Sequence, residues 1–205
     1  IDFNNLPNSF VIKCNHGCKW QYIIKDKENF LNTPKLIEQV KQQITGWLSQ
    51  EFWAFNSFEM QYRRLTPKIL IEPLIRDENN SNCDELNIYC FNGIPELCIK
   101  MYGCIENATT LYDNHFQIID NVMSLYDKKI NLPAGKIEKI AYYLSYKLAK
   151  NFKFVRVDWM IYKNKLYFEE LTFTPNSGFN KSLNTEINKY FGNKINLERI
   201  KNGNR

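Results

Sequence analysis

No apolar stretch in this sequence approaches the ~18 to 20 residues that a membrane-spanning helix needs. The opening residues, IDFNNLPNSF, lack the basic start and apolar run of a signal peptide, so neither a membrane span nor a leader is expected. Histidine is scarce, with only His16 and His115. Cys14 and Cys18 flank His16, yet no second CxxC or HxxxH follows to complete a tetrahedral zinc site. The remaining cysteines, 83, 90, 98 and 104, show no metal-binding spacing either, so reduced thiols in a cytoplasmic protein are expected. No GxSxG is present, and no internal repeat. There is also no Lys/Arg block: 27 basic and 22 acidic residues are spread along the chain for a net charge of +5. That balance argues against nucleic acid as a partner, while a mildly basic surface suits an anionic substrate or a nucleotide. What the chain does have is 44% apolar and 15% aromatic residues in 205 positions. That excludes disorder and is enough for one large domain or two small lobes.

Along the chain, SFVIKC (9–14) alternates and is rich in β-branched residues, and WQYIIK (20–25) does the same after the turn HGCKW, which predicts a hairpin. Thr33-Pro34 reads as an N-cap followed by Pro at the first helical position. Leu36, Ile37, Val40, Ile44, Trp47 and Leu48 then keep helical spacing. KILIEPLI (68–75) reads as a short buried strand and DENNSNCD (77–84) as a loop. ELNIYCF and IPELCIKMY flank Asn92-Gly93, a strong hairpin signal. Residues 134–151 predict an amphipathic helix with Ile137, Ile140, Ala141, Leu144 and Leu148 on its apolar face. A short helix is expected after Pro175. Strands do not alternate strictly with helices, so the expected class is α+β with antiparallel sheets, divided near residue 67 into a small lobe (1–67) and a larger one (68–205).

The stretch FVRVDWMIYKNKLYFEELTFTP (154–175) carries acids inside two strands that otherwise read as core. Paired antiparallel through a three-residue loop, Lys163-Asn164-Lys165, these strands put Tyr162 opposite Leu166, Asp158 opposite Glu170 and Arg156 opposite Thr172, all four polar residues on one face. A two-residue loop would put Glu169 opposite Asp158 instead. Directly opposed carboxylates lie about 4.5–5.5 Å apart at Cβ and repel. A divalent cation offsets that repulsion, and Mg²⁺ is commonly held by one or two carboxylates plus substrate phosphates. Arg156 beside them presents a planar fork to a phosphate or carboxylate oxygen. The same residues also read as an ordinary solvated face with surface ion pairs.

The ordered set LPNSFVIKCNHG, PKILIEPLI, CFNG, FKFVRVDWMIY and LYFEELTFTPNSG resembles the TupA-like ATP-grasp family, over about residues 6 to 195. The resemblance implies two α+β lobes with antiparallel sheets clasping ATP. It implies an ATP- and Mg²⁺-dependent ligase joining a carboxylate to an amine through an acyl phosphate, in the modification of bacterial surface polysaccharide. The partners would be a carboxylate-bearing glycan or precursor and an amine or amino acid. Lys13 matches the lysine at the nucleotide phosphates, and His16-Gly17, with Lys19, the phosphate loop. Glu72 and Leu74 match the segment bordering adenine. Asp158 and Glu170 match the metal-binding carboxylates, Thr172 a further ligand position where many ATP-grasp enzymes carry Asn, and Arg156 the arginine at the transferred phosphate. Relatives are expected to carry Gly at position 19, Lys at 87 and Gly at 169, where this chain has Lys19, Asn87 and Glu169. They are also expected to carry a region before the first strand that is missing here. A phosphotransferase, a glycosyltransferase of the same pathway and a non-catalytic nucleotide-binding scaffold are the alternatives.

Overall fold

A computed structural model describes residues 1–54, 59–76, 82–119, 128–178 and 184–195. The chain divides into two compact units, Ile1–Ile75 and Arg76–Arg205. This division lies eight residues beyond the expected 67/68, because the strand after residue 67 pairs within the first unit.

The first unit contains β1 (Phe10–Cys14), β2 (Gln21–Ile24), α1 (Lys27–Leu31), α2 (Pro34–Ser49) and β3 (Ile69–Pro73). Its antiparallel sheet runs β2-β1-β3. The central strand buries Phe10 and Ile12 against Phe30, Val40, Ile44 and Trp47. The helical spacing read from Val40, Ile44 and Trp47 is therefore the face α2 turns inward. Three details differ from expectation. α1 was not anticipated, and Asp26 caps it by accepting from the Asn29 N–H. Thr33 does precede α2, but its hydroxyl donates back to the Asn29 carbonyl rather than capping forward. β3 is an edge strand whose residues are intermediate or exposed, not a buried one.

The second unit is built on a six-stranded sheet. Its strands are β4 (Asp84–Phe91), β5 (Ile94–Met101), β6 (Ala108–Asp113), β7 (Lys128–Lys129), β8 (Phe154–Tyr162) and β9 (Lys165–Thr172). They run in the order β7-β6-β5-β4-β8-β9, antiparallel except for β6 with β7. Asn92 and Gly93, both with positive φ, make the tight β4–β5 turn the sequence predicts. α3 (Lys136–Ala149) lies on one face of the sheet, over Leu86, Ile88, Cys90, Val155, Val157 and Trp159. On its inward side Ala141, Ser145 and Ala149 are fully buried, the larger Tyr142 is buried with them and Leu144 packs beside them, and Ser145 accepts a hydrogen bond from the Trp159 indole at 2.8 Å. The apolar face read from the sequence is thus only partly the buried one, since Ile140 and Leu148 point to solvent. On the other face, α4 (Thr185–Gly192), the expected C-terminal helix, sets Phe191 on Tyr89, Phe91, Leu97 and Leu111. Most of the loop expected at 77–84 lies outside the described residues.

The β8–β9 hairpin closes through two residues, Lys163 and Asn164, both at positive φ, and Tyr162 faces Lys165. The expected three-residue loop is not what forms. A regular two-residue hairpin would bring Glu169 opposite Asp158, but the register shifts between Asp158 and Trp159, leaving Glu169 as the extra residue of a bulge. The bulge restores the pairs Asp158↔Glu170 and Arg156↔Thr172.

The six cysteines are thiols with no disulfide among them; Cys18 and Cys104 are exposed and the other four buried. Burial raises the Cys14 thiol against opposing hydrogen bonds from the backbone of Asn15 and His16, and pushes Cys90 up to about 12. Cys98 is raised in the same way, as are the buried phenols of Tyr112 and Tyr142. A disulfide reagent is expected to titrate Cys18 and Cys104 in the native protein and all six thiols after denaturation. Above about pH 9 the unfolded chain releases protons that these buried groups retain, so their contribution to stability is complete below that pH and is lost as pH rises toward 12. Chemical denaturation at a series of alkaline pH values measures this directly.

Candidate functional site

The polar cluster sits on the sheet face opposite α3. Alternation along the strands gathers Arg156 and Asp158 from β8, Glu170 and Thr172 from β9, and Glu85, Asn87 and Tyr89 from β4. Asn87 lies directly opposite Asp158, and Tyr89 opposite Arg156.

Asp158 is only 3% exposed. Its charge is met by a two-pronged bond: Arg156 Nε donates to Oδ1 and an Arg156 terminal nitrogen to Oδ2, both at 2.7 Å. This planar fork-to-fork pairing is among the stronger side-chain interactions available. The Thr172 hydroxyl lies 2.9 Å from Asp158 Oδ2 and 2.8 Å from Glu170 Oε1, and accepts from Arg156 at 3.2 Å. With one proton, that hydroxyl donates to one carboxylate at a time. Glu170 is more open, its side chain 57% exposed, and Oε1 lies 3.8 Å from the guanidinium. The expected repulsion between the facing acids is thus offset by the resident cation of Arg156.

Burial pushes the Asp158 carboxyl above the usual range, against the pull of Arg156, and Glu170 across the strand pair adds to the rise. Burial also works against the charge of Arg156, but Asp158 outweighs it and Tyr89 adds a hydrogen bond, so the guanidinium is held charged. Glu85, on the same face of β4, is raised by burial and by the negative charges of Asp158 and Glu170, with Arg156 opposing. Sequence reading missed Glu85 and Tyr89 as neighbours of this cluster. The alternation of Glu85, Asn87 and Tyr89 was visible, but not which strand β4 would join.

The donor set bears on whether a divalent cation suits the site. Among the described residues no group of three or more His, Cys, Asp or Glu side chains comes together, so a cage made wholly of such ligands is not formed there. Two facing carboxylates and a hydroxyl match the other pattern, in which Mg²⁺ takes one or two carboxylates and completes its shell with phosphate oxygens and water. The residues fit an ion of that kind, provided the Arg156 fork turns away from Asp158.

The first-unit candidates are placed as follows. Lys13 Nζ bonds Glu72 at 2.8 Å, an ion pair across β1 and β3 at a partly exposed position. His16 is buried. Its Nε2 lies 3.0 Å from the Trp47 carbonyl, which only accepts, so Nε2 carries the proton and Nδ1, 3.1 Å from Cys14 Sγ, accepts from the thiol. This imidazole ties the loop to the end of α2. At Gly17 a Cβ would lie 2.3 Å from the Trp20 ring, so the ring closes over a position with room only for hydrogen. Leu74 is half-buried, and its N–H is engaged by the Ser9 carbonyl. Lys19 has φ 60°. A left-handed conformation costs a non-glycine residue roughly 1–2 kcal/mol, so Lys19→Gly is expected to raise stability by about 1 kcal/mol, read as a higher denaturation midpoint.

The sequence matches the family described as TupA-like ATPgrasp over residues 1–196. Among curated proteins none matches it at a significant level. Two solved structures of D-alanine–D-alanine ligase from Bacillus anthracis are similar to it. One, complexed with ATP, has 17% identity and a TM-score of 0.47, covering 91% of this chain and 49% of that one. The other has 17% identity and a TM-score of 0.46, covering 90% and 49%. The chain spans about half the length of these ligases.

Proposed function

We propose, from the premise that this chain belongs to the TupA-like ATP-grasp family, that it acts as an ATP- and Mg²⁺-dependent carboxylate–amine ligase. Its product would be an amide formed through an acyl phosphate, in the modification of a cell-surface polysaccharide or its precursor. The observation that carries the reading is the pairing of Asp158 with Glu170 on one sheet face, with Arg156 and Thr172 bonded to them.

The chemistry explains why these residue types suit the task. A carboxylate is a poor electrophile, and phosphorylation gives it a leaving group that an amine can displace. Asp158 and Glu170, with Thr172, would hold a divalent ion, which would supply positive charge against the charge developing in transfer. Arg156, turned away from Asp158, would present its fork to a phosphate oxygen, where a preorganised cation lowers the barrier. In the first unit, Lys13 and the backbone of the His16–Lys19 turn, with Gly17 at its centre, would hold phosphate, and Glu72 and Leu74 would border adenine. Lys13 would have to leave Glu72 to do so, a modest cost for a partly exposed pair.

The test is Mg²⁺-dependent ADP release with panels of amines and carboxylates, the product checked by mass spectrometry. An amide supports the reading. A phosphorylated acceptor without amide makes the protein a kinase, and turnover of a nucleotide sugar without ATP makes it a glycosyltransferase. One observation favours a non-catalytic scaffold: Asn87 faces Asp158 where the family resemblance expects a lysine. That reading predicts folded protein with weak or absent Mg-ATP binding and no turnover.

A further inference from the structure

We propose that the solvent face of α3 is a docking surface for an anionic lipid bilayer. The proposal stands apart from the ligase reading, because it concerns the opposite face of the sheet from the Asp158 cluster.

Three observations carry it. First, α3 is apolar on the wrong side for a helix that only covers a sheet. Its buried face is made of Ala141, Tyr142, Ser145 and Ala149, whereas Ile140, Tyr143 and Tyr146 on the opposite side are 42–57% exposed. Second, the same face is basic without an acid. Lys136, Lys139, Lys147 and Lys150 are all exposed. The one carboxylate of the helix, Glu138, is buried, accepting from the Gly135 N–H at 2.9 Å and from Lys100 at 2.8 Å. Third, Lys136, Lys139, Ile140, Tyr143, Tyr146, Lys147 and Lys150 are spaced three or four residues apart, which runs them along the whole helix as one stripe of lysine and apolar or aromatic groups. Lys147 lies 4.9 Å over the Tyr143 ring. Beside the first turn a shallow surface depression is lined by Ala134, Gly135, Lys136, Lys139, Ile140 and Tyr143.

Interfacial helices combine these properties: an apolar side that enters the headgroup–acyl boundary, and lysines that meet anionic headgroups. Lysine stems lie along apolar surface while their ammonium groups stay in the polar layer. A second copy docking through the same face would set four lysines against four. Nucleic acid would engage the lysines but give Ile140 nothing to bury against. The combination of positive charge with Ile140, Tyr143 and Tyr146 on one ridge selects the bilayer surface. Docked this way, the Asp158 cluster faces away from the membrane.

Flotation of the full chain with vesicles tests this. Binding is expected to phosphatidylglycerol–phosphatidylcholine vesicles and not to phosphatidylcholine alone, and to weaken with salt. Lys136→Gln/Lys139→Gln/Lys147→Gln should lower affinity on the order of 100-fold. Ile140→Ser/Tyr143→Ser keeps every charge and should also weaken binding measurably. These positions are exposed, and circular dichroism and thermal melting check that each variant is folded; should the triple variant fail to fold, Lys139→Gln/Lys147→Gln serves in its place. The proposal is overturned by absence of binding to the anionic vesicles at low salt. It is equally overturned if Ile140→Ser/Tyr143→Ser binds unchanged, which would mean general polyanion attraction, or if polyglutamate or duplex DNA is bound more tightly than the vesicles.

Discussion

Arg156→Ala will lower the unfolding free energy by about 3–5 kcal/mol at neutral pH, the usual loss when one partner of a buried ion pair is removed. Asp158 is 3% exposed and both its oxygens accept from Arg156. Without the guanidinium, a carboxylate stays buried with Thr172 as a weak donor and Glu170 repelling it. It will escape by taking up a proton, and that fixes the pH dependence. Its folded pKa lies above the ordinary value and will rise further in the variant. The folded variant therefore holds a proton that the unfolded chain releases, and its deficit relative to the parent grows as pH rises from about 4 toward neutrality. Arg156→Ala/Asp158→Asn removes both charges and should recover much of the loss. A double variant no more stable than Arg156→Ala would show that the stranded Asp158 charge is not the source of the loss.

Asp158→Asn and Glu170→Gln are expected to weaken Mg²⁺-dependent ATP binding at least on the order of 100-fold each, beyond what loss of a supporting contact around a metal ligand costs. The two should differ in stability. Glu170 is largely exposed, so Glu170→Gln leaves unfolding nearly unchanged. Asp158→Asn leaves the Arg156 charge half-matched in a buried setting and will cost about 1–3 kcal/mol while the fold persists. Comparing denaturation midpoint with ATP affinity across both variants separates binding from folding.

The parts of this arrangement that were legible in the sequence are the local ones. Alternation in residues 154–162 and 165–172 marks two strands, and Asn92-Gly93 marks a turn, because side-chain periodicity and positive φ are written in neighbouring residues. The facing of Asp158 and Glu170 was reached by assuming a three-residue loop; the chain achieves it with a two-residue loop and a bulge at Glu169. A glutamate at that position gives no bulge signal, so the compensation was invisible. The pairing of β4 with β8 joins segments about seventy residues apart, and nothing local announces it. Tyr89 and Glu85 therefore reach the cluster unforeseen, and Asn87, known from the sequence only as a departure from the family pattern, proves to face Asp158. His16 reads from the motif as the start of the phosphate loop, yet its ring is anchored to Trp47 and Cys14, a tertiary environment that motif spacing cannot show. The helix expected at 134–151 forms at Lys136–Ala149 with its face only partly as expected: Ala141 and Leu144 pack on the core, whereas Ile140 and Leu148 are exposed.

The central claim is that Asp158 and Glu170 together bind a divalent ion with the nucleotide phosphates. Calorimetric titration of ATP, with and without Mg²⁺, into the parent protein and the Asp158→Asn/Glu170→Gln variant tests it most directly. The account predicts binding that requires Mg²⁺ in the parent and is lost in a variant that remains folded. Equal Mg²⁺-dependent binding in both proteins would contradict it, placing the ion elsewhere and leaving the facing carboxylates as an ion-pair network with Arg156 that only joins two strands.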